Sequence, residues 1–251
     1  MPFSPESIAA RNAKRPPRPP APPAEAVEIK KRAKRPGPAP SGKGRASGAG
    51  DTRQLVFDAA AVLFSRSGFD SVGVDDIARA AGVNKAMIYY HFKDKLALYR
   101  EVVRDMLVVV GGNVGEIAAS ADPPPRKIER FIEMLAEMRQ DRPWFPPLMM
   151  REMAAGAPHL DNATLAHIRG VFQGFSAILD AGVKTGEFRV VHPVMAYLSI
   201  MGPLMMNAVR ERAAAAPGRG QIPIFAPLDR DALVAHMQHT ALSMLAKDRA
   251  R

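Results

Sequence analysis

The chain has 251 residues, 47% of them hydrophobic, and a formal net charge of +10 at pH 7. It has no cysteine, which excludes disulfides, zinc–thiolate sites and thiol catalysis. Its longest apolar run, residues 196–209, is too short and too interrupted by polar residues to span a bilayer, and no N-terminal segment has the apolar core of a signal peptide, so we expect a cytoplasmic protein that does not act on a membrane.

The excess of basic charge lies in residues 1–50, which carry 11 Lys and Arg against 3 Asp and Glu, together with 11 of the 23 prolines. A segment of this composition cannot bury enough apolar surface to offset the entropy of ordering it, so we predict a disordered tail. Residues 24–35 are the one stretch of the tail for which a helix is considered. Two interpretations of the tail remain open: a basic arm that adds contacts to phosphates, or a solvated extension without a specific partner.

Helical periodicity begins at Asp51. Four apolar residues recur at the spacing of one helix face, namely Val56, Ala60, Leu63 and Phe64. Gly68 is expected to cap the C-terminus of this first helix. The next pattern, VDDIARAA at 74–81, predicts a short second helix whose two first-turn carboxylates suit the positive end of the helix dipole.

A third short helix is predicted at 85–91 because Asn84 can serve as its N-cap. A fourth helix begins after the N-cap Asp94 and has an apolar stripe that ends at Val110. Beyond it, apolar stripes predict five more helices: after the proline run 123–125, around 147–155, up to Gly186, from 193 to 212 with a kink at Pro203, and from 229 to 247. No strand-type alternation of any length occurs.

The sequence therefore predicts an all-α fold of about nine helices in three parts. Residues 1–50 form the tail, residues 51–110 form a three-helix domain with a helix-turn-helix, and residues 111–251 form a helical bundle. The helix-turn-helix lies at 75–91, where two short helices flank the turn AGVN. In this arrangement the second helix enters the major groove of DNA, which is about 12 Å wide and admits one helix.

The recognition helix and its flanks read GVNKAMIYYHFKDK, residues 82–95. Four ring-bearing side chains follow one another here, from Tyr89 to Phe92. Because a helix of 3.6 residues per turn cannot bury four consecutive side chains on one face, we expect Ile88 and Phe92 to face the core and the other rings to face outward.

Residues 59–103 resemble the N-terminal DNA-binding domain of the TetR family of bacterial transcriptional regulators. The positions that match the family's spacings are Ala60, Phe64, Gly68, Phe69, Ile77, Ala78, Gly82, Val83, Tyr89, Phe92, Lys95 and Leu98. Residues 182–193 are also similar to the family's C-terminal domains. The resemblance implies a homodimer that binds a palindromic operator in double-stranded DNA, most often as a repressor. It also implies that the last two long helices dimerise and that a small-molecule effector, bound in the C-terminal domain, releases the operator.

The resemblance further implies which side chains contact DNA. Tyr89 and Lys95 are expected to bind phosphates, and Thr52 and Arg53 to touch the DNA backbone from the start of the first helix. The residues expected at or near the groove are Asn84, Lys85, Ala86, Met87, Tyr90 and His91.

Three positions in this region leave alternatives open or depart from the family pattern. Met87 stands where the family often has Thr or Ser, and it either meets a thymine methyl group or turns aside and packs. Gly73 replaces a Thr that caps the second helix and touches phosphate in many members. Asp75 would repel phosphate, so we expect it to serve the helix dipole.

Methionine and aromatic residues are concentrated after residue 110, and flexible thioethers suit an adaptable pocket for a small apolar effector. The residues predicted to line this pocket are Met138, Trp144, Phe145, Met149, Met153, Phe172, Phe175, Met201 and Met205. The alternative for each of them is an ordinary place in the core.

No arrangement of catalytic residues is found, so we expect neither an enzyme nor a cofactor. His236 and His239 share one helix face, but no cysteine supports them and the nearest carboxylates lie at the helix start, so we expect no metal site. One rival function remains: a nucleoid-type protein that binds DNA without sequence preference or effector.

Overall fold

The computed structural model describes residues 49–219 and 222–247, all within one compact unit. This part of the chain contains nine α-helices and one short 3-10 turn. The helices are α1 (Ala49–Ser67), α2 (Val74–Ala81), α3 (Lys85–His91), α4 (Lys95–Ala119), α5 (Pro124–Asp141), α6 (Phe145–Ala154), α7 (Asn162–Thr185), α8 (Pro193–Ala214) and α9 (Arg230–Leu245); the 3-10 turn is Pro223–Phe225. The predicted all-α fold of about nine helices is confirmed. The tail and its considered helix at 24–35 lie outside the described residues.

The bounds of α2 and α3 coincide with the predicted ones because local side chains define them. Asn84 accepts a hydrogen bond from the Ala86 N–H at 2.9 Å, which caps α3. Gly82 ends α2 with a φ of 68°, a left-handed conformation that suits glycine. Asp94 caps α4 by accepting from the Ala97 N–H at 2.7 Å.

Helix α4 continues nine residues past Val110, so the predicted boundary between residues 110 and 111 falls inside a helix. Its buried stripe extends through Val114 and Ile117. The continuation packs on α7, where a Cβ on Gly174 would lie 2.6 Å from Val114 Cγ1. Only glycine permits this close approach of the two helices.

One continuous cluster of buried side chains joins the first four helices to the remaining five. Phe64, Ile77 and Ile88 are fully buried in the N-terminal part, and Phe131 and Phe175 are fully buried in the C-terminal part. Strand pairing is limited, among the described residues, to a single bridge between Phe188 and Ala246. In the described ranges, no helix has both the length and the apolar character needed to cross a membrane.

Candidate DNA-binding surface and effector cavity

Helix α3 is held by one face and presents the other to solvent. Ile88 is fully buried and Phe92 is 3% exposed, so this pair anchors the helix as predicted. On the opposite side Tyr90 is 74% exposed and Tyr89 is 50% exposed. Lys85 and Ala86 are exposed on the same side, one turn earlier. We call the face formed by Lys85, Ala86, Tyr89 and Tyr90 the reading face.

Lys85 is paired across the helix-turn-helix with Asp75 of α2, at 3.0 Å between Nζ and Oδ2. The hydrogen bond to Asp75, and then the attraction between the two charges, raises the pKa of Lys85 above its usual value. Sequence reasoning assigned Asp75 to the helix dipole and missed this pair. Because both side chains are substantially exposed, the pair is free to open when a phosphate or base competes for the lysine.

The other predicted groove residues on α3 are less available. The Asn84 side chain is engaged as the helix cap. Met87 is half-buried. His91 is also half-buried, its ring packs edge-on to Tyr90 at 4.9 Å between centroids, and its Nε2 has no hydrogen-bond partner in the described structure. In this conformation they support α3 more than they extend its reading face.

The two predicted contacts on α1 differ in their surroundings. Thr52 is half-buried. The Arg53 guanidinium forms an ion pair with Glu101 of α4 and lies 5.2 Å from the centroid of the Phe92 ring. Arg53 therefore ties α1 to α4 beside the recognition helix, and its side chain, which is 46% exposed, keeps further N–H donors for a contact to the DNA backbone.

Lys95, predicted to bind phosphate, is half-buried and uses part of its hydrogen-bonding capacity within the protein. Its Nζ donates to the carbonyl oxygens of Phe69 at 3.0 Å and Val72 at 3.1 Å, and lies 4.1 Å from the Phe69 ring centroid. An ammonium group has three donors, so one N–H remains for a phosphate. The lysine thus fixes the turn between α1 and α2 to the start of α4.

A buried carboxylate joins the helix-turn-helix part to α6. Glu152 is 3% exposed and accepts from the Tyr99 hydroxyl at 2.7 Å, from the His159 backbone N–H at 2.8 Å, and contacts His159 Nδ1 at 3.0 Å. Burial alone would raise the pKa of Glu152, but the hydrogen bonds from His159 and Tyr99 outweigh it and lower the pKa below its usual value. The Phe69 ring packs against His159 in a tilted arrangement at 4.2 Å between centroids, which extends the cluster to the α1–α2 turn.

A second connection runs from α8 to the end of α1. The Arg212 guanidinium donates to the Ser65 carbonyl at 2.7 Å and to the Arg66 carbonyl at 3.0 Å. These carbonyls belong to the last turn of α1, where no intrahelical partners are left. Sequence reasoning missed Arg212, because nothing local marks an arginine that reaches 147 residues back along the chain.

Helices α4 to α8 line a partly open cavity of about 290 Å³. Six of the nine predicted pocket residues line it: Met138, Phe145, Met149, Met153, Met201 and Met205. The lining is almost entirely apolar. Two residues with polar groups, Arg139 and Tyr197, also line it and were not predicted.

The other three predicted residues lie outside this cavity. Phe175 is fully buried and packs its ring against Phe131 and Tyr197, at 5.1 and 5.4 Å between centroids. Phe172 packs edge-on to Tyr197 at 5.7 Å. Trp144 directly precedes α6 and packs edge-on to Phe145 at 6.0 Å between centroids. These three rings pack against other aromatic rings, of which Tyr197 and Phe145 do line the cavity.

Helix α8 exposes an apolar stripe toward solvent. Met195 is 64% exposed, Leu198 56% and Met206 58%, with Gly202 between them on the same side. A stripe of this size on one helix marks an interaction surface more often than a solvated face. On α9, His236 and His239 are both exposed, and no group of three metal-ligating side chains occurs among the residues described.

The described residues thus form a helix-turn-helix domain that is continuous with a helical domain, and an apolar cavity lies in the helical domain. A family profile described as bacterial regulatory proteins of the tetR family matches residues 56–102. A second, described as the tetracyclin repressor-like C-terminal domain, matches residues 124–216. The two matches together cover more than half of the chain, which belongs to the TetR family of bacterial regulatory proteins. The assignment made from the sequence is confirmed.

Individual relatives agree with the family profiles. The chain is 29% identical over 143 residues to the HTH-type transcriptional regulator RutR of Escherichia coli (strain K12). The matched region covers 56% of this chain and 66% of RutR, so the chain spans slightly under two thirds of the length of this relative. It is 28% identical over 144 residues to the HTH-type transcriptional repressor KstR2 of Rhodococcus jostii (strain RHA1), and the match covers 57% of this chain and 71% of that repressor. The solved structure of the ketosteroid transcriptional regulator KstR2 of Mycobacterium tuberculosis is similar in fold, with a TM-score of 0.63 and 19% identity. The match covers 78% of this chain and 95% of that one.

Proposed function

We propose that the protein is a sequence-specific DNA-binding transcriptional regulator, a repressor that a small apolar effector releases from a palindromic operator. The reading face of α3 is the observation that carries this proposal. Two tyrosine rings and a lysine stand exposed on a helix whose opposite side is fully anchored by Ile88. Such exposure costs free energy in an isolated domain and is recovered when the rings and the cation meet DNA.

The roles within the reading face divide into positioning and reading. Tyr89 positions the helix through its hydroxyl on a phosphate, and Lys95 assists with its one unpaired N–H. Lys85, once released from Asp75, and the strongly exposed Tyr90 reach base edges, where their donors can distinguish base pairs. Met87 is half-buried in this conformation and would have to turn toward the groove to meet a thymine methyl group.

A homodimer presents two copies of this face to two half-sites. The exposed stripe of α8 supports dimerisation through Met195, Leu198 and Met206, together with α9. Gly202 in the same stripe lets a partner helix approach closely. Action on chromosomal DNA places the protein in the cytoplasm.

The effector part of the proposal rests on the cavity. A volume of about 290 Å³ lies at the small end of ordinary ligand pockets, and its methionine-rich wall can adapt to an apolar molecule. The relatives are named as transcriptional regulators, and we propose a regulatory rather than a catalytic role. The cavity and the family membership favour this role over a nucleoid-type protein that lacks an effector.

Footprinting of genomic fragments by the purified full chain tests the function. We expect discrete sites with two symmetric half-sites. Protection of all fragments alike would instead support the nucleoid-type alternative.

Variants then test the assigned roles. We expect Tyr89→Phe to weaken binding about equally on all sites, whereas Lys85→Ala changes the preferred bases. Arg126→Ala removes the same charge from an exposed site on α5 and serves as the control. A selected-site profile for Lys85→Ala identical to that of the control would overturn the reading role of Lys85.

A further inference from the structure

We infer that the effector is an amphiphilic carboxylic acid, whose apolar chain fills the cavity and whose carboxylate is held by Arg139. This inference rests on the proposed effector role of the cavity and specifies the chemical class of the ligand. It follows from the one charged side chain among the lining residues and from the way its donors are used.

The cavity wall selects a ligand that is apolar over most of its length. Met106, Met149, Met150 and Met201 are among the lining residues, and nearly all of the remaining wall is aliphatic or aromatic. Inorganic anions would leave this surface unfilled. An unbranched apolar chain of moderate length suits a flexible thioether wall.

Arg139 lines both this cavity and a second, more open one that Glu211 and Arg212 also line, and its hydrogen-bonding capacity is not exhausted. Its Nη1 donates to Glu211 of α8, while its Nε is buried without a partner in the described structure. A guanidinium carries five N–H donors in a planar fork, and the edge formed by Nε and Nη2 matches a carboxylate. Nε is buried, so a carboxylate in the cavity meets the guanidinium first at Nη2, which has no hydrogen-bond partner among the described residues.

The existing partner of Arg139 can yield to a ligand, whereas Arg139 itself cannot withdraw. The Arg139 side chain is 13% exposed, whereas the Glu211 side chain is 40% exposed and keeps a second partner, the Asn207 side-chain N–H at 2.9 Å, when it leaves Arg139. An incoming carboxylate is attracted to the same guanidinium that Glu211 binds at Nη1, so the two carboxylates compete for its charge. A neutral molecule of the same shape has no such advantage.

Tyr197 provides a second polar group at the cavity wall. No hydrogen-bond partner for its hydroxyl is found among residues 49–219 and 222–247, and burial raises the pKa of the hydroxyl. The group stays neutral and keeps its proton, so it can donate to a carboxylate oxygen. An acid with two acceptor oxygens uses both Arg139 and Tyr197.

The headgroup position also connects the ligand to the DNA-binding part. Glu211 is followed directly by Arg212, which holds the Ser65 and Arg66 carbonyls at the end of α1. A carboxylate that weakens the pair between Arg139 and Glu211 changes the side-chain contacts of the last turn of α8, which also carries Arg212. Through this connection, binding of a small acid in the cavity can change the position of α1 and, with it, that of the reading face.

Calorimetry with octanoate and its neutral isostere octanamide at pH 7.5 tests the inference on the full chain. We expect octanoate to bind at least about tenfold more tightly than octanamide, since a charge-assisted bond replaces a neutral one. Arg139→Gln should reduce this ratio to about one. Glu211→Gln should increase it, because the internal competitor is gone. Arg142→Gln removes an arginine that pairs with Asp105 and does not line the cavity, so its ratio should equal that of the wild type.

Equal binding of the two probes by the wild type, or an unchanged ratio in Arg139→Gln, would overturn the inference, as would binding of neither probe. If Arg139→Gln does not fold, Glu211→Gln decides: a ratio that fails to rise is then the contrary result. Operator release, measured separately by fluorescence anisotropy, distinguishes the two levels. Release by octanamide but not by octanoate would contradict the inference that the effector is a carboxylic acid, without contradicting the effector role of the cavity. Tight binding of octanoate without release would contradict the effector role, while the carboxylate-binding site at Arg139 would still be supported.

Discussion

The Tyr99 hydroxyl is predicted to contribute a large share of the stability at the junction between the helix-turn-helix part and α6. Tyr99→Phe removes only the donor to Glu152, because the ring keeps its edge contacts with Phe64 and Phe69 at 5.1 and 5.2 Å between centroids. A hydrogen bond to a charged group contributes about 1.5–3 kcal/mol to the free energy of unfolding. For a chain of this size we expect the melting temperature to fall by about 3–12 °C at pH 7.

The same substitution should change the pH dependence of stability. The pKa of Glu152 is lowered in the folded state, so its stabilising contribution is present above the unfolded value of about 4.3 and is lost as the pH falls through the folded value. Removing one bond to the carboxylate raises its folded pKa, and acid unfolding of Tyr99→Phe should begin at a higher pH.

Thermal and acid unfolding followed by circular dichroism measure both effects, with Tyr197→Phe as the matched control. That variant also removes a hydroxyl from a largely buried ring, but one without a partner among the described residues, so its free energy of unfolding should change by less than about 0.5 kcal/mol. A Tyr99→Phe variant as stable as the control at pH 7 would refute the assigned role of Glu152.

Two further substitutions test the links around the reading face. Asp75→Asn frees Lys85 and removes a negative charge near DNA, so operator affinity should rise up to several-fold and the salt slope should steepen by about one per protomer; titrations at several salt concentrations measure this, and a weaker complex would speak against it. Arg212→Gln removes the bonds to the Ser65 and Arg66 carbonyls. The effector should still bind, but the factor by which it lowers operator affinity should be at least about fivefold smaller than in the wild type. An unchanged effector response, measured by anisotropy on the operator, would show that Arg212 does not carry the coupling.

Local signals made the helix-turn-helix readable from the sequence. Asn84 and Gly82 fix the ends of α3 and α2 through their own side-chain and backbone preferences, so both helices were predicted to the residue. The anchoring of Ile88 and Phe92 followed from helical periodicity alone. Lys95 shows the limit: its acceptors, the carbonyls of Phe69 and Val72, lie on a turn that only tertiary packing brings to it.

The effector cavity was predictable in composition but not in detail. Met149 and Met201 line it as expected, because thioethers tolerate irregular walls. Phe175 does not, since a large ring gains more by close packing against Phe131 than by facing empty space. Arg139 reads in the sequence as part of a solvated helix face, and only the position of α8 shows that it lines the cavity.

The unbroken course of α4 has a mechanical consequence. Its 25 residues give a rod about 37 Å long that begins beside the recognition helix and ends in the wall of the second domain. The helix continues without a break through Gly111 and Gly112, so a tilt imposed at the far end moves the near end as a lever does. A rotation of about five degrees displaces the near end by about 3 Å, close to the 3.4 Å rise of one base pair. A displacement too small to disturb the cavity visibly is thus large enough to put a recognition helix out of step with its half-site.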